Sequence, residues 1–535
     1  MSSAAPRSTP APDTAARLAA VVGADHCTTD AAERRFYSTD LSFLPGKVAA
    51  VVVRPDSTEE LAACVRVAAD TGMAVVARGG GMSYTQGYQP ERENTLLVDM
   101  RRMNRILEIN TTDMYVRVEA GCTWKSLFEA LAAVDCRTPY FGPLSGMYAT
   151  VGGTLSQNSL FLGSGTYNTA AESALGLKVV MADGSILQTG SAAHRHAGGN
   201  GFWRHFGPDL TGLFTADTGA FGLKAEITLR LIEAPAVTLF MSFGFDTLAD
   251  MLTVQTVLAR KRICAECYGF DPYYNRGFEG QGFTFREGLA VLSDVARSEG
   301  GIKGLWSSFK VAAAGKTFLR DVPYSLHMTF DSFDRDVAHR AMQVAREVCL
   351  AHRGREIDNT LPTVFRAHPF GGVRTVLLGA DGEVWIPIHG FMPLSKAVEV
   401  GAATEAFFAE HRALMQKHGI KSSYLTCFAG TEFVIEPSLY WHDALGDFRL
   451  SLIEPEFQAK WRDIPADTET RAVALRLRDG LRDLYDRHGC CHLQIGKYYT
   501  YQDLIGNEPL KMLLQGVKHT VDPEGRVNPG ALGLR

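Results

Sequence analysis

The chain has 535 residues, which is too long for one ordinary hydrophobic core and predicts two or three domains. Hydrophobic residues make up 46% of the chain and charged residues 21%, the balance of a globular protein. The net charge of −5 gives no sign of a nucleic-acid-binding surface, and no apolar run approaches the ~20 residues needed to span a bilayer.

Residues 1–14 are rich in Ala, Ser and Pro and have no apolar core of the kind found in a secretory signal. They predict a flexible tail, with the cytoplasm as the expected location. The ten cysteines include a C-x-x-C at Cys264 and Cys267 and an adjacent pair at Cys490 and Cys491. Because no second C-x-x-C and no spaced histidine pair accompanies them, buried free thiols are expected rather than a metal site.

Residues 15–235 show an α/β pattern. A buried strand is predicted at 48–55 and a second at 73–78, with a helix between them at 57–72. Ser57 with Glu60 three residues later forms a capping box, and Gly72 provides the helix end.

From residue 236 the pattern changes to alternating strands and long amphipathic helices, which predicts a second, α+β domain over 236–488. A final segment, 489–535, is punctuated by glycine and proline. The expected strands are 237–245, 324–333, 382–391 and 422–435, the expected helices are 334–354 and 395–419, and the stretch 275–322 is expected to be irregular and helical.

Three glycine-rich loops stand out at 79–81, 152–153 and 219–222. A glycine run after a strand lets backbone N–H groups approach an anion that a Cβ would block, so a phosphate or pyrophosphate is the expected ligand. The G-x-G-x-x-G of a Rossmann fold and the Gly-Lys-Ser/Thr of a P-loop are both missing from the first loop. Loops spread over ~150 residues favour one long ligand lying across several strand ends.

Four motifs in this order, ARGGGMSYTQG, TVGGTLSQN, TGAFG and the closing DPEGRVNPGALG, resemble the FAD-binding (PCMH-type) flavoproteins of the vanillyl-alcohol oxidase and 4-cresol dehydrogenase superfamily. D-lactate dehydrogenases are similar in the same regions. The resemblance implies an α+β fold. Its FAD-binding domain is built from an N-terminal piece and the C-terminal segment, and its α+β cap domain has an antiparallel sheet and covering helices.

The resemblance also implies the residues that contact FAD. Backbone amides from Arg78 to Ser83 would hold the pyrophosphate, the second loop would lie along the ribityl chain or ring, the third would contact the adenine side, and Asn528 would sit near the flavin. The implied cofactor-binding residues are Arg78, Gly79, Gly80, Gly81, Met82, Ser83, Thr150, Gly152, Gly153, Gly219, Gly222, Leu223 and Asn528.

Met82 occupies the position at which many members of that superfamily carry a histidine bonded to the flavin. The positions of a second covalent anchor in the vanillyl-alcohol oxidase branch correspond to Val434 and Ile435. None of these side chains has a nucleophilic nitrogen, so non-covalent FAD is the hypothesis. A covalent link from a cap tyrosine remains an alternative.

Oxidation of an alcohol by flavin requires a base for the departing proton. The candidates for catalytic residues are His389, Glu436, His492 and Tyr499, which lie where cap strands and the C-terminal segment are expected to converge. Arg366 and Arg374 could bind a carboxylate, and Tyr440 and Trp441 could line the substrate pocket. The vanillyl-alcohol oxidase branch binds a phenolate with a tyrosine and an arginine just before a Thr-His-Leu, and the same place here reads Gly489-Cys490-Cys491-His492-Leu493, which disfavours a phenolic substrate.

The leading hypothesis is an FAD-dependent oxidoreductase that oxidises a hydroxyl-bearing small molecule, an apolar or aromatic alcohol, by hydride transfer. A D-2-hydroxyacid dehydrogenase of the D-lactate type is the alternative enzyme. A non-catalytic flavin-binding protein, or a redox sensor using Cys264 and Cys267, is the alternative of another class. The electron acceptor (oxygen, a quinone or a cytochrome) stays open, a homodimer is compatible with the sequence, and no metal is expected.

Overall fold

The computed structural model describes residues 13–199, 201–275 and 322–534. Most of the predicted tail and of the stretch predicted to be irregular and helical, 1–12 and 276–321, lies outside the described residues. None of the helices in the described ranges combines the length and apolarity of a membrane span.

The first sheet has four strands in the order β1, β2, β4, β3, and its last three strands are parallel. Because the carboxyl ends of parallel strands share one edge, the glycine run after β3 leaves the sheet at that edge. The predicted strand at 48–55 pairs over only three buried valines. The elements are β1 (Cys27–Thr28), β2 (Val51–Val53), β3 (Ala74–Arg78) and β4 (Thr95–Asp99), with α1 (Thr14–Val22), α2 (Ala31–Tyr37) and α3 (Thr58–Asp70).

The predicted capping box at the start of α3 is present in a modified form. The Ser57 hydroxyl accepts a hydrogen bond from the Glu60 N–H at 3.1 Å. The Glu60 carboxylate reaches back to the N–H of Asp56 at 2.8 Å, one residue earlier than the standard box. The first bond satisfies a donor that the helix start leaves open, and the second ties the residue before the N-cap to the first turn.

The second sheet is antiparallel, with strand order β5, β6, β10, β8, β9, and it shares one hydrophobic core with the first sheet. A two-stranded ribbon of β7 and β11 stands beside it. The elements are β5 (Ile106–Asn110), β6 (Tyr115–Glu119), β7 (Cys136–Arg137), β8 (Ala174–Val180), β9 (Ile186–Gln188), β10 (Leu223–Arg230) and β11 (Ile232–Glu233), with α4 (Trp124–Ala132), α5 (Val151–Gln157), α6 (Ser164–Tyr167) and α7 (Leu210–Leu213).

The third sheet, which we call the cap sheet, is antiparallel in the order β15, β12, β14, β13, β18, β19, β16, and β17 also pairs with β19. Its strands are β12 (Val237–Phe245), β13 (Glu266–Phe270), β14 (Tyr324–Ser332), β15 (Arg355–Ile357), β16 (Val384–Pro387), β17 (Gly390–Pro393), β18 (Lys421–Ala429) and β19 (Glu432–Trp441).

Long helices pack on the cap sheet around a second hydrophobic core. The helices of this region are α8 (Leu248–Lys261), α9 (Arg335–Ala351), α10 (Thr360–Ala367), α11 (Arg374–Leu377), α12 (Ala397–Glu410), α13 (Arg412–Lys417), α14 (Gly446–Leu450), α15 (Pro455–Trp461) and α16 (Thr468–Arg487).

The predicted strand at 382–391 is interrupted at residues 388–389. Opposite the interruption is Pro437, which has no N–H to give to the ladder. Ile388 still donates to the Pro437 carbonyl at 2.9 Å, so the bond that the proline removes is the one to the Ile388 carbonyl. The next N–H, that of His389, points away from β19 and donates to the Tyr499 hydroxyl at 3.2 Å.

The C-terminal segment carries α17 (Tyr501–Leu504) and α18 (Glu508–Val521) and then runs beside β3. Val75 accepts a hydrogen bond from the Asn528 N–H and donates to the Arg526 carbonyl, both at 2.8 Å. The chain end thus adds to the edge of the first sheet. The domain boundaries at residues 14, 235 and 488 stay predictions.

Cys264 and Cys267 are buried free thiols. Burial raises the pKa of the Cys267 thiol well above its ordinary value, with a smaller contribution from Cys264. A thiolate is the reactive form of cysteine, so this environment disfavours the redox-sensing alternative.

Candidate active site and cofactor cleft

One cavity, here called the central cavity, lies between the glycine-rich loops and the cap sheet. Its floor includes the loop after β3, the start of α5, the turn before β10 and the C-terminal segment near Asn528. Its opposite wall is formed by β18, β19 and residues 385–389. The fold therefore brings three loops that are distant in sequence to the same cavity as the cap.

The glycine loop presents a row of open backbone donors. From Gly79 to Tyr84, no described residue accepts a hydrogen bond from the main-chain N–H groups. Buried backbone donors are almost always paired in a folded protein, so a row of open donors lining a cavity indicates a ligand that supplies the acceptors. Successive N–H groups of this kind suit an anionic group such as a pyrophosphate.

The glycines of this loop are required by its contact with the loop before α5. A Cβ on Gly80 would lie 1.8 Å from the Tyr148 carbonyl oxygen, and one on Gly79 would lie 2.2 Å from the Thr150 hydroxyl. Gly81 has φ of +81°, a conformation that side chains disfavour. The triple glycine thus serves two purposes, since it lets two loops interlock and leaves the N–H groups uncovered.

The second and third loops line the same cavity. Thr150 caps α5 by accepting from the Gly153 N–H at 3.4 Å, and Gly152 donates to the Ala120 carbonyl at 2.9 Å. Gly219 has φ of +70°. The residues predicted from these loops that line the cavity are Thr150, Gly152, Gly153, Gly219, Gly222 and Leu223.

Asn528 connects the first loop to the third. Its side-chain amide donates to the Gly87 carbonyl at 2.8 Å and to the Thr218 carbonyl at 2.7 Å. Its side-chain oxygen is buried and has no partner among the described residues. Gln157 on α5 also lines the cavity with a buried, unpartnered amide oxygen. Two acceptors of this kind fit a ligand that carries hydrogen-bond donors.

These features together fit FAD, whose pyrophosphate would accept hydrogen bonds from the loop after β3 and whose polar ring edge carries donors and acceptors. Arg78 is the exception among the predicted contacts, because its side chain does not line the cavity. The guanidinium is buried within 5.3 Å of the Tyr37, Tyr88 and Phe448 rings, where it supports the loop from behind.

Met82 and Ser83 also line the cavity, and so does Val434. Ile435 is buried in the cap core instead. These placements are compatible with non-covalent FAD, which stays a prediction.

Glu436 lines the cap wall of the central cavity. No described residue donates a hydrogen bond to its carboxyl group or pairs with it. Because burial penalises the charged form, the pKa of Glu436 is raised to about 7. A carboxylate with this pKa is well matched to accept a proton near neutral pH.

His389 lines the cavity beside Glu436, but its properties disfavour the predicted role of base. Burial, with smaller contributions from His492 and Arg478, lowers the pKa of His389 to about 3. An imidazole with so low a pKa is a weak proton acceptor.

Tyr499 lies behind the cavity wall rather than on it. Its hydroxyl contacts the His389 Nδ1 at 3.4 Å, and its ring stacks on His492 with 3.9 Å between centroids. We therefore do not expect Tyr499 to contact the substrate directly, as a catalytic residue would.

His492 does not line the cavity, and both of its ring nitrogens are engaged. Nδ1 contacts the His389 carbonyl at 2.8 Å, and Nε2 contacts the Asp486 carboxylate at 2.7 Å. With 2% of its side chain exposed, His492 is a structural residue here, and we do not retain it as a base.

The two arginines predicted to bind a carboxylate are also held elsewhere. Arg366 is buried between Glu266, at 2.6 Å, and Asp331. Arg374 pairs with Glu454 at 3.3 Å and lies over the Phe457 ring. Neither lines the central cavity, so neither is retained as a substrate ligand.

Tyr440 and Trp441 lie in β19, beyond the cavity. The Tyr440 hydroxyl accepts from Ser423 at 3.2 Å, and the Trp441 indole N–H donates to Asp443 at 3.0 Å. Trp441 lies on the opposite face of β19 from Glu436 because of strand alternation. Tyr440 shares the face of Glu436 but lies four residues further along the strand, outside the cavity lining.

Several lining residues were not predicted from the sequence. Tyr84 follows the glycine loop directly, so its position beside the motif was a usable signal. The others come from separate cap strands, from the stretch just after β13 and from the C-terminal segment, and no local pattern reveals where these parts meet. They include Trp385, Leu425, Cys427, Tyr274 and Gln494.

Comparison with known proteins agrees with this geometry. The family model of the FAD binding domain matches residues 49–190. Glycolate oxidase subunit GlcD of Bacillus subtilis is 26% identical over 254 residues, which cover 47% of this chain and 52% of that protein. D-2-hydroxyglutarate dehydrogenase of Xanthomonas citri pv. viticola is 24% identical over 515 residues, covering 94% and 93%. The chain spans about half the length of the first of these relatives.

Solved structures match over nearly the whole chain. p-Cresol methylhydroxylase with bound substrate superposes with a TM-score of 0.73 at 15% identity, covering 98% of this chain and 96% of that one. 4-Ethylphenol oxidase from Gulosibacter chungangensis gives 0.68 at 17% identity, covering 98% and 97%. The predicted α+β fold class and the FAD cofactor are thereby confirmed. Residues 49–190 thus match the FAD binding domain, and the chain has the fold of p-cresol methylhydroxylase and 4-ethylphenol oxidase.

Proposed function

We propose that the protein is an FAD-dependent oxidoreductase that oxidises a hydroxyl-bearing, apolar or aromatic small molecule, with Glu436 as the base. One observation carries this proposal: an unpaired carboxyl group faces the same cavity as the row of open N–H donors.

Bound flavin supplies a hydride acceptor. In the proposed reaction the C–H bond of the substrate breaks as hydride leaves, the C=O bond forms, and the hydroxyl proton passes to the Glu436 carboxylate. The cap wall excludes water from this proton transfer, because it is built largely from apolar side chains.

The chemistry of the wall supports an apolar or aromatic substrate. Trp385, Leu377, Leu425 and Val434 face the cavity from the cap side. Among the described lining residues the only cation is Lys224, and it is paired with Asp217 at 2.7 Å. A free cation for a substrate carboxylate is therefore lacking on the described wall.

A D-2-hydroxyacid is the second candidate substrate. It is favoured by the similarity to D-2-hydroxyglutarate dehydrogenase, which extends over 94% of the chain. In that case neutral donors such as Tyr84 would have to bind the carboxylate, a weaker arrangement than an arginine pair.

The test is anaerobic reduction of the purified flavoprotein by benzylic alcohols and, separately, by D-2-hydroxy acids. We expect Glu436→Gln to retain its flavin and to lose a factor of about 10²–10⁴ in the reduction rate. In the wild type, kcat/KM should rise with pH up to the Glu436 pKa of about 7 and then level off, because the base must be ionised.

The matched control is Glu432→Gln, which changes a carboxyl group on the same strand that bonds weakly to Asn168 at 3.5 Å outside the cavity. It should reduce at the wild-type rate. A Glu436→Gln variant that is as fast as wild type, or preferential reduction by D-2-hydroxy acids, would contradict the proposal in its present form.

A further inference from the structure

His389 and Glu436 are cross-strand neighbours. β19 pairs Ser438 with Pro387 and Ile435 with Gly390, and two residues lie between these pairs on each strand. The register therefore places His389 opposite Glu436. Side chains at opposed positions of an antiparallel pair stand on the same face with Cβ atoms about 5 Å apart, and both residues line the central cavity.

The His389 ring has one engaged nitrogen and one open nitrogen. The residue is 1% exposed. Its Nδ1 contacts the Tyr499 hydroxyl at 3.4 Å, whereas its Nε2 is buried and has no hydrogen-bond partner among the described residues. An unpaired polar atom on a cavity wall indicates a ligand that completes it.

The hydrogen bonds of Tyr499 determine which nitrogen carries the proton. The phenolic oxygen accepts from the His389 main-chain N–H at 3.2 Å. Its own hydrogen is then free for one acceptor, and the neighbouring Nδ1 is the acceptor within reach. With Nδ1 accepting, the proton of a neutral ring must sit on Nε2.

The surroundings keep this ring neutral. Tyr84 packs edge-on at 6.2 Å between centroids, and the positive charges of His492 and Arg478 disfavour a second proton on the ring. Burial is the main cause that lowers the pKa of His389 to about 3, so the ring does not titrate between pH 6 and 8.

We propose that the Nε2–H of His389 is the hydrogen-bond donor for the substrate hydroxyl oxygen, while Glu436 accepts the hydroxyl proton and Tyr499 is the positioning residue that selects the His389 tautomer. This inference rests on the proposed function. One oxygen is thus held by an acceptor and a donor from adjacent strands. The donor keeps its bond as the oxygen loses its proton and becomes a carbonyl, which stabilises negative charge that develops on it.

The first test is the tautomer itself, measured by ¹⁵N NMR on the flavoprotein labelled at histidine. The resonance that disappears in His389→Leu should report a neutral ring protonated at Nε2 from pH 6 to 8. Tyr499→Phe should shift it towards a mixture of tautomers. A ring protonated at Nδ1, or a doubly protonated ring in this pH range, would overturn the inference whether or not any substrate is known.

The second test is kinetic. His389→Leu should reduce the rate of anaerobic flavin reduction by about 10²–10³-fold, and His389→Gln, whose amide can donate, should recover part of this loss. His488→Leu is the control, because His488 directly follows α16, pairs with Glu399 and does not line the central cavity. A wild-type rate in His389→Leu would overturn the donor role.

The two proposals fail separately. If Glu436→Gln keeps the wild-type rate while His389 shows the Nε2–H tautomer and His389→Leu is slow, the base assignment fails and the donor role stands. If Glu436→Gln is slow and the His389 ring is protonated at Nδ1, the reverse holds.

Discussion

A desolvated carboxyl group without a partner destabilises the fold, and Glu436, half-buried on the cavity wall, is such a group at the scale of single residues. Its pKa is raised from 4.5 to about 7 by burial. Between these pH values the folded protein keeps a proton that the unfolded chain releases, so stability falls as pH rises through this window and the full penalty is present above it.

We therefore predict that Glu436→Gln is more stable than wild type at pH 8, by about 1–3 kcal/mol, and equally stable at pH 4.5. Denaturant unfolding of both proteins at the two pH values measures the difference. Glu432→Gln should show no such pH-dependent gain. A stability difference that does not change with pH would show that the Glu436 carboxyl is not desolvated.

The sequence identified candidates for the catalytic residues but could not decide between them. Residue type and sequence neighbours support a catalytic role for each of four residues, His389, Glu436, His492 and Tyr499. Their roles separate only through partners distant in the chain, since His492 bonds to Asp486 and to the His389 carbonyl while Glu436 bonds to nothing described.

At the scale of elements, the loop after β3 is the part of the fold that the sequence indicated best. Its function depends on two features that a Cβ would remove. The loop packs closely against the loop before α5, and its main-chain N–H groups stay open to the cavity. The close packing involves Tyr148, about 70 residues later in the chain, and no local pattern predicts it.

We predict that Gly80→Ala loses most of its bound FAD, at least about tenfold in flavin per protein, because its Cβ would lie 1.8 Å from the Tyr148 carbonyl oxygen and displace the loop. The ratio of flavin absorbance to protein absorbance measures this. Gly516→Ala in α18 is the control, since a Cβ there meets open space. Full flavin content in Gly80→Ala would contradict the proposal that the glycine loop binds FAD through its open N–H groups.

Around residues 388–389 the cap sheet meets the C-terminal segment. The sequence predicts one strand over 382–391, but Pro437 on the partner strand interrupts the ladder. In this register the His389 N–H points away from β19 and bonds to the Tyr499 hydroxyl, which also contacts the His389 Nδ1. The C-terminal segment, rather than the strand ladder, thus orients the histidine ring.

At the scale of the whole molecule, a buried charge cluster joins the N-terminal sheets to the cap sheet. Arg137 on β7 pairs with Asp331 on β14 at 2.8 Å. Arg366 on α10 bonds to the same Asp331 and to Glu266, whose carboxylate also accepts from the Gly163 N–H at 2.9 Å. The cluster fixes the cap relative to the loops below it.

We predict that Arg366→Met lowers the free energy of unfolding by about 3–5 kcal/mol, because it leaves two buried carboxylates short of a partner. Substrate affinity should be unchanged. Arg346→Met, which breaks an exposed pair with Glu356, should cost less than about 1 kcal/mol. Denaturant unfolding separates the two. Unaltered stability together with weakened binding of a 2-hydroxy acid would restore the predicted role of Arg366 as a carboxylate ligand.

The chain alone allowed a phosphate-bearing ligand and the α/β and α+β patterns to be predicted, because glycine-rich loops, caps and strand periodicity are local patterns that survive without tertiary contacts. The FAD-binding domain and the cofactor were implied by the resemblance of four short motifs to known flavoproteins. The catalytic face was different. Whether a histidine, glutamate or arginine faces the cavity or is paired behind it depends on partners tens to hundreds of residues away, and burial by those partners sets its pKa. Only the packing of the cap sheet over the loops decided that Glu436 and His389 face the cavity while Arg366, Arg374 and His492 do not.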